Sequence, residues 1–300
     1  MPSIIKPVQR IRFGLLIAAF GAAAASAADI KPAAAVRPST ALPGVSVLPV
    51  KLDIPGLDRK RQLRLYLPPG YATSGKRYPV LYMHDGQNLF DNATSYASEW
   101  KVDETLDALA KEGKLELIVV GIDNGEQKRM TELNAWSSER FGQAEGKQYM
   151  DFIVKVVKPT IDKEYRTLPD RANTAVMGSS MGGLISHYAI NEYPDVFSKA
   201  GVFSPAYWTA VPVFDFVNAK PAPKDARVYM LMGSEEGESM VPDAERMAAL
   251  LVKTGHPTSN LSMKVVPGAK HNEGFWSGEF RDAVLWMFKP GSVQTVSAKQ

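Results

Sequence analysis

From residue 45 onward, short apolar runs alternate with longer stretches whose apolar positions recur every three or four residues. Such alternation predicts parallel strands covered by helices. Residues 45–54 and 62–67 read as opening strands paired antiparallel, and 78–84 as the first buried strand. A helix starting near Trp100 puts Val102, Leu106 and Leu109 on one face. Residues 115–122 form another apolar strand, and 146–165 carry the period of a long helix. A short strand at 174–177, a tight turn at 178–183 and a helix at 184–193 come next. Strands at 200–203, 228–232 and 261–266 follow, separated by helical segments, with 279–288 as the last helix. The pattern predicts a single α/β domain over residues 44–290, built on one open, mostly parallel sheet with helices on both faces.

The two ends of the chain break this pattern. Lys6, Arg10 and Arg12 precede an apolar run at 13–25 and the small-x-small triplet Ala25-Ser26-Ala27, which reads as a signal peptide over 1–28, cleaved near Ala27 or Ala28. The run is shorter than the roughly 20 residues that span a bilayer, so no stable membrane anchor is expected and the protein is expected in the periplasm or outside the cell. Residues 29–43, with Pro32, Pro38 and Pro43, read as a flexible leader, and 291–300 as a disordered tail.

Removing Lys6, Arg10 and Arg12 from the 35 basic residues leaves 32, equal to the 32 acidic ones. The mature chain is therefore nearly neutral, without the basic excess that binding a phosphate backbone requires, and nucleic acid is set aside as a partner. Cysteine is absent, which excludes disulfides, thiolate metal sites and a catalytic thiol. No HExxH element is present, the glycine-rich turn lacks the Lys-Ser/Thr ending of a phosphate loop, and no cofactor is required.

Gly178-Ser179-Ser180-Met181-Gly182 fits G-x-S-x-G between a predicted strand and a predicted helix. In that context Ser180 is the candidate nucleophile, at a bend where flanking side chains would clash and where a helix N-terminus favours developing negative charge. A serine hydroxyl needs a histidine, normally oriented by a carboxylate, and in this sheet type they follow in the order serine, acid, histidine. Among the four histidines His271 is the candidate base, because a short loop after the final strand brings it to the carboxyl edge of the sheet. His256, in Gly255-His256-Pro257, reads as a solvent-exposed turn residue, and His84, ending the first buried strand, either lines the site or is a structural histidine. Glu235, Glu236 and Glu238 follow a strand and Asp243 lies shortly beyond. Glu236 is the candidate acid, a neighbouring carboxylate or an unsupported Ser-His dyad being the alternatives. Arg129 follows a strand and either grips an anionic or sugar-like group or joins a surface ion pair.

The chain resembles the esterase D or putative esterase family of α/β-hydrolases, which includes feruloyl esterases, enterochelin-type siderophore esterases and the antigen 85 mycolyltransferases. The resemblance spans about 45–288 and rests on four segments. They are His84-Asp85-Gly86-Gln87-Asn88-Leu89-Phe90-Asp91, Gly178 to Gly183, Phe203-Ser204-Pro205-Ala206-Tyr207-Trp208, and His271-Asn272-Glu273 with Trp276. It implies the α/β-hydrolase fold, supports Glu236 through the element 233–236, and assigns the oxyanion hole to the backbone N–H groups of Gln87 and Met181. It also implies that Trp100, Trp208 and Trp276 face the pocket or brace the catalytic loop, core packing being the plain alternative.

The expected reaction is acyl transfer from an ester to Ser180 and then to water, with a small-molecule or carbohydrate ester as substrate. Acylated sugars and siderophore lactones both fit. Transfer to a sugar acceptor, and a non-catalytic periplasmic binding protein on the same fold, are the alternatives.

Overall fold

The computed structural model describes residues 37–288. The signal peptide expected at 1–28, the first part of the leader and the tail at 291–300 lie outside the described residues.

The chain opens with β1 (Val45–Val47), β2 (Leu52–Ile54), β3 (Arg59–Arg61) and β4 (Leu63–Tyr66). The run expected as one strand at 45–54 is thus two strands in different sheets. Pro49 lies between them and has no N–H to give to a ladder. β2 pairs with β3 in a separate two-stranded ribbon, while β1 pairs antiparallel with β4, as the sequence predicts for the opening strands.

After α1 (Tyr71–Ser74) come β5 (Val80–His84), α2 (Val102–Lys111), β6 (Ile118–Ile122), α3 (Arg129–Glu132), α4 (Gly146–Phe152) and α5 (Lys158–Glu164). The last two are parts of the long helix predicted at 146–165, joined by a π-helical turn at Ile153–Val157. Pro159, just past that turn, has no N–H for a regular α-helical bond and its ring crowds the preceding turn, which accounts for the widened ladder. The rest is β7 (Thr174–Ser179), α6 (Met181–Glu192), β8 (Lys199–Phe203), α7 (Val213–Ala219), β9 (Arg227–Gly233), α8 (Met240–Lys253), β10 (Leu261–Val266) and α9 (Glu273–Met287). α9 starts six residues before the predicted 279, because Asn272 caps it by accepting the Phe275 N–H at 3.0 Å.

The main sheet has eight strands in the order β1-β4-β6-β5-β7-β8-β9-β10, with all pairs from β6 to β10 parallel. Successive side chains on a strand point to opposite faces. Val80 and Tyr82 accordingly enter one core, with α6 and α8, whereas Leu81 and Met83 enter the other, with α2 and α9. The fold is the expected α/β class. Because six neighbouring strands run the same way, His84, Ser179, Phe203, Gly233 and Val266 all end strands at one edge of the sheet. Among the described residues no helix is long and apolar enough to cross a membrane.

Residues 37–43, expected within the flexible leader, are tied down. The Leu42 N–H donates to Asp103 at 2.9 Å, and the Thr40 hydroxyl donates to Glu99 at 2.8 Å. The expectation from proline content fails here because buried carboxylates along 91–103 take up the segment's donors.

Candidate active site

β7 runs through Ser179 and α6 begins at Met181, so Ser180 alone makes the reversal, with φ 59° and ψ −120°. A non-glycine residue held there costs about 1–3 kcal/mol, which the surroundings must offset. Its N–H donates to the Phe203 carbonyl at 2.9 Å, and its carbonyl accepts the N–H groups of Leu184 at 3.0 Å and Ala206 at 3.1 Å. A Cβ on Gly178 would lie 2.8 Å from the Gly182 backbone, and one on Gly183 2.6 Å from the Phe203 oxygen. These approaches explain why glycines flank the serine. Ser179, which the motif register excludes, is buried at the end of the strand.

The loops after β9 and β10 are stitched together by the Glu235 N–H, which donates to the Ala269 carbonyl at 2.9 Å. That contact sets the Glu236 side chain, fully buried, opposite His271. His271 Nδ1 lies 3.0 Å from Glu236 Oε2. The other oxygen, Oε1, accepts the Gly233 N–H at 2.8 Å and the Ser204 hydroxyl at 2.6 Å. A carboxylate accepting at both oxygens places a hydrogen on Nδ1 and leaves the lone pair on Nε2, the arrangement a general base needs. Glu235 and Glu238 point to solvent, Glu235 lying 3.8 Å from Lys270.

Ser180 and His271 line one cleft of about 730 Å³, together with Gln87, Trp100, Arg129 and Trp276. Among the described residues no hydrogen bond joins the Ser180 hydroxyl to His271, whose Nδ1 faces Glu236; in unliganded sites catalytic hydrogen bonds are often long and shorten in the substrate complex. Gln87 sits in a short turn after β5, and Met181 opens α6, where the first N–H groups have no partner within the helix. A second hollow of about 610 Å³, beside the β2–β3 ribbon, shares no lining residue with the cleft and contains neither serine nor histidine.

The three tryptophans have different fates. Trp276 stands edge-on to the His271 ring, centroids 4.9 Å apart, and Trp100 stacks on Phe203 at 5.4 Å and packs against Trp276 at 5.8 Å. Both are buried yet reach the cleft. Trp208, expected at the pocket, is not among the cleft's lining residues; it is 43 % exposed and packs on Phe141 and Arg140. The residues after Pro205 turn it outward in a short 3-10 segment, Tyr207–Thr209, while Tyr207 takes the buried position.

Arg129 is at the cleft, but its guanidinium is engaged. Nε and Nη2 donate to the two oxygens of Asp85 at 2.6 and 2.9 Å. Asn124 Nδ2 donates to the same carboxylate at 2.6 Å. Burial pushes the Asp85 carboxyl up, but the charge and hydrogen bonds of Arg129 outweigh it and hold the carboxyl below its usual range. The ion pair is thus the outcome, set in the cleft wall rather than on the open surface.

Two histidines depart from or refine their sequence reading. His256 is only 4 % exposed, not solvent-exposed, because its N–H donates back to the Leu251 carbonyl at 2.9 Å and folds the chain over the end of α8. His84 is buried, with Nδ1 2.8 Å from the Tyr149 hydroxyl, and burial pulls it down to about 4.

Sequence reasoning missed the role of Ser204, which sits inside a quoted motif at φ 42° and is fully buried. It also missed Tyr96 at the rim of the cleft, for which no local signal exists.

With this geometry in hand, the family model described as “Putative esterase” matches residues 54–287. The chain belongs to that family. It is an esterase, a carboxylic ester hydrolase. It is 30 % identical over 244 residues to the uncharacterized protein YbbA of Bacillus subtilis, covering 76 % of this chain and 92 % of the relative. Two solved structures share the fold at 22 % identity. An IroE-like serine hydrolase from Shewanella oneidensis has a TM-score of 0.65, with 82 % of this chain and 79 % of that one covered. A feruloyl esterase module from Clostridium thermocellum complexed with sinapinate has a TM-score of 0.62, with 83 % and 90 % covered.

Proposed function

We propose that this esterase is exported and hydrolyses acylated sugars or siderophore-like esters through an acyl-enzyme on Ser180. Ser180 Oγ attacks the ester carbonyl as His271 Nε2 takes its proton. The tetrahedral oxyanion is held by the N–H groups of Met181 and Gln87, each donor contributing about 3 kcal/mol to lowering the barrier. His271 then delivers the proton to the leaving alcohol, and the same histidine activates the water that releases the acid. Glu236 keeps the imidazole in the required tautomer and stabilises the imidazolium.

The observation that carries this reading is the 3.0 Å contact of His271 Nδ1 with buried Glu236, in a cleft that also contains the strained Ser180. The complex of the feruloyl esterase module with sinapinate supports a ring-bearing acyl group as one candidate substrate. A fluorophosphonate probe labels Ser180 of the wild type and not Ser180→Ala, and p-nitrophenyl ester cleavage disappears with the label. Labelling elsewhere, or full activity in Ser180→Ala, overturns the assignment. Mature protein from the native host begins after Ala27 or Ala28; an intact N-terminus overturns export.

A further inference from the structure

The loop from Asp91 to Glu99 forms part of the cleft wall without any helix or strand of its own, yet its backbone is held from two directions. Inside the loop, the Tyr96 N–H donates to Asn88 Oδ1 at 2.9 Å, and the Thr94 hydroxyl donates to the Gln87 carbonyl at 2.8 Å. From outside, the guanidinium of Arg37 reaches across. Its Nη1 donates to the Ala97 carbonyl at 3.0 Å and to Asn92 Oδ1 at 3.3 Å, and its Nη2 donates to the Ser95 carbonyl. The two carbonyls it takes are those on either side of Tyr96.

Ser39 and Thr40 extend the same fastening. The Ser39 hydroxyl donates to Asp91 at 2.9 Å, and the Asn92 N–H donates to the Thr40 hydroxyl at 2.8 Å. With Thr40 on Glu99 and Leu42 on Asp103, residues 37–42 form a strap along the outer side of the loop. The residue at the centre of these bonds is Tyr96, which is 89 % exposed at the rim of the cleft that contains Ser180 and His271. An exposed loop carrying a large aromatic side chain loses conformational freedom when it is pinned, and the exposed ring recovers nothing by packing within the protein. A pinned ring does gain when a ligand packs on it, because tyrosine offers a wide, stiff surface with only two side-chain torsions to fix.

We propose that Arg37 and Tyr96 act as one specificity unit: the strap holds Tyr96 as a fixed platform that lies flat against a ring in the ester substrate. The unit rests on the reading of Ser180 as nucleophile, since Tyr96 stands at the entrance to that serine's cleft. The shared chemistry is the apolar face of a ring, which an aromatic acyl group and an acylated pyranose both present. Arg37 does not touch substrate and is a positioning residue; lysine, a single point charge without the planar fork, cannot span both carbonyls.

The test compares methyl cinnamate, an acetylated glucose and the acyclic methyl butyrate, with wild type, Arg37→Ala, Arg37→Lys, Tyr96→Ala and the double variant. Tyr96→Ala lowers the ratio of kcat/KM for the preferred ring-bearing ester over that for methyl butyrate about tenfold, through KM. Arg37→Ala and Arg37→Lys lower the same ratio several-fold, with methyl butyrate turnover by the Arg37 variants within twofold of wild type. The double variant is no worse than Tyr96→Ala, because the two residues serve one contact. Whichever of the two ring esters shows the drop identifies the source of the ring. Amide hydrogen exchange over 91–99 is faster in Arg37→Ala than in wild type, a readout independent of turnover. An unchanged ratio in Tyr96→Ala, or losses that add in the double variant, overturns the proposal. Loss of all ester cleavage in Ser180→Ala together with an unchanged ratio in Tyr96→Ala sinks the platform and leaves the esterase standing. Wild type inactive on all three esters overturns the platform, while fluorophosphonate labelling of Ser180 decides the esterase reading separately.

Discussion

Ser204 donates its hydroxyl hydrogen to Glu236, the two oxygens 2.6 Å apart. The direction of that bond follows from the carboxylate, which can only accept, while Trp276 Nε1, which can only donate, occupies the Ser204 oxygen at 2.8 Å. Trp276 therefore touches both members of the Glu236–His271 pair, through Ser204 on Glu236 and edge-on against the His271 ring. Ser204→Ala leaves Glu236 Oε1 with the Gly233 N–H alone and frees the carboxylate to swing. A bond to a charged group is worth about 1.5–3 kcal/mol, so kcat should fall about 10- to 100-fold with KM little changed. Steady-state kinetics check this, and a rise in KM with kcat intact would remove Ser204 from the role given to it.

Arg129 and Asp85 should behave as a structural pair. About a quarter of the Arg129 side chain is exposed while Asp85 is nearly closed off, so Arg129→Ala leaves a carboxylate without its counter-charge. The expected loss is about 3 kcal/mol, the low end for a buried pair because of that partial exposure. Denaturant unfolding should record it, and Asp85→Asn on the Arg129→Ala background should restore part of it. A variant as stable as wild type with a raised KM would make Arg129 a substrate contact after all.

Acid should weaken the fold through two buried histidines. Burial pulls His84 down to about 4 and His187, which bonds Tyr207 at 2.6 Å, down to about 3. An unfolded histidine titrates near 6.5, so between about pH 6.5 and these lower values the unfolded chain binds protons that the folded chain refuses. Stability should thus fall as pH drops through that window, by about 3–5 kcal/mol for each histidine once the window is crossed. Unfolding midpoints from pH 7 to 3 measure the slope, and His187→Phe should flatten it.

Gly278 lies inside α9 with nothing within 4 Å of where a Cβ would stand, whereas a Cβ on Gly178 would lie 2.8 Å from Gly182. Gly278→Ala should stabilise by about 0.5–1 kcal/mol, raising Tm by roughly 1–3 °C, with activity retained. Gly178→Ala should distort the bend and abolish activity. Calorimetry and ester turnover on both variants test the contrast.

Much of this was legible in the sequence because it depends on local signals. The strand before the bend, read from the sequence at 174–177 and running two residues further in the structure, the glycines about Ser180 and the chain order that leads to Glu236 and His271 all follow from patterning and from what a strand-to-helix turn tolerates. The missed features depend on contacts between distant segments. β2 and β3, three residues each, are too short for a periodicity to register. Trp208 and Tyr207 are adjacent aromatics, and which one turns inward is decided by what waits in the core, here His187. The burial of His256 and the fastening of Arg37 likewise arise from backbone and carboxylate acceptors that composition does not reveal.

β10 forms one margin of the main sheet, and its outer backbone groups offer a template for another extended chain. Lys264 stands in the middle of this marginal strand, paired with Glu279 at 2.5 Å across the gap to α9. A charged side chain at that position opposes annealing of one molecule's sheet onto its neighbour's. Replacing it with an aliphatic residue should leave the fold intact while inviting self-association, so one lysine remote from the cleft bears on whether neighbouring molecules stay apart.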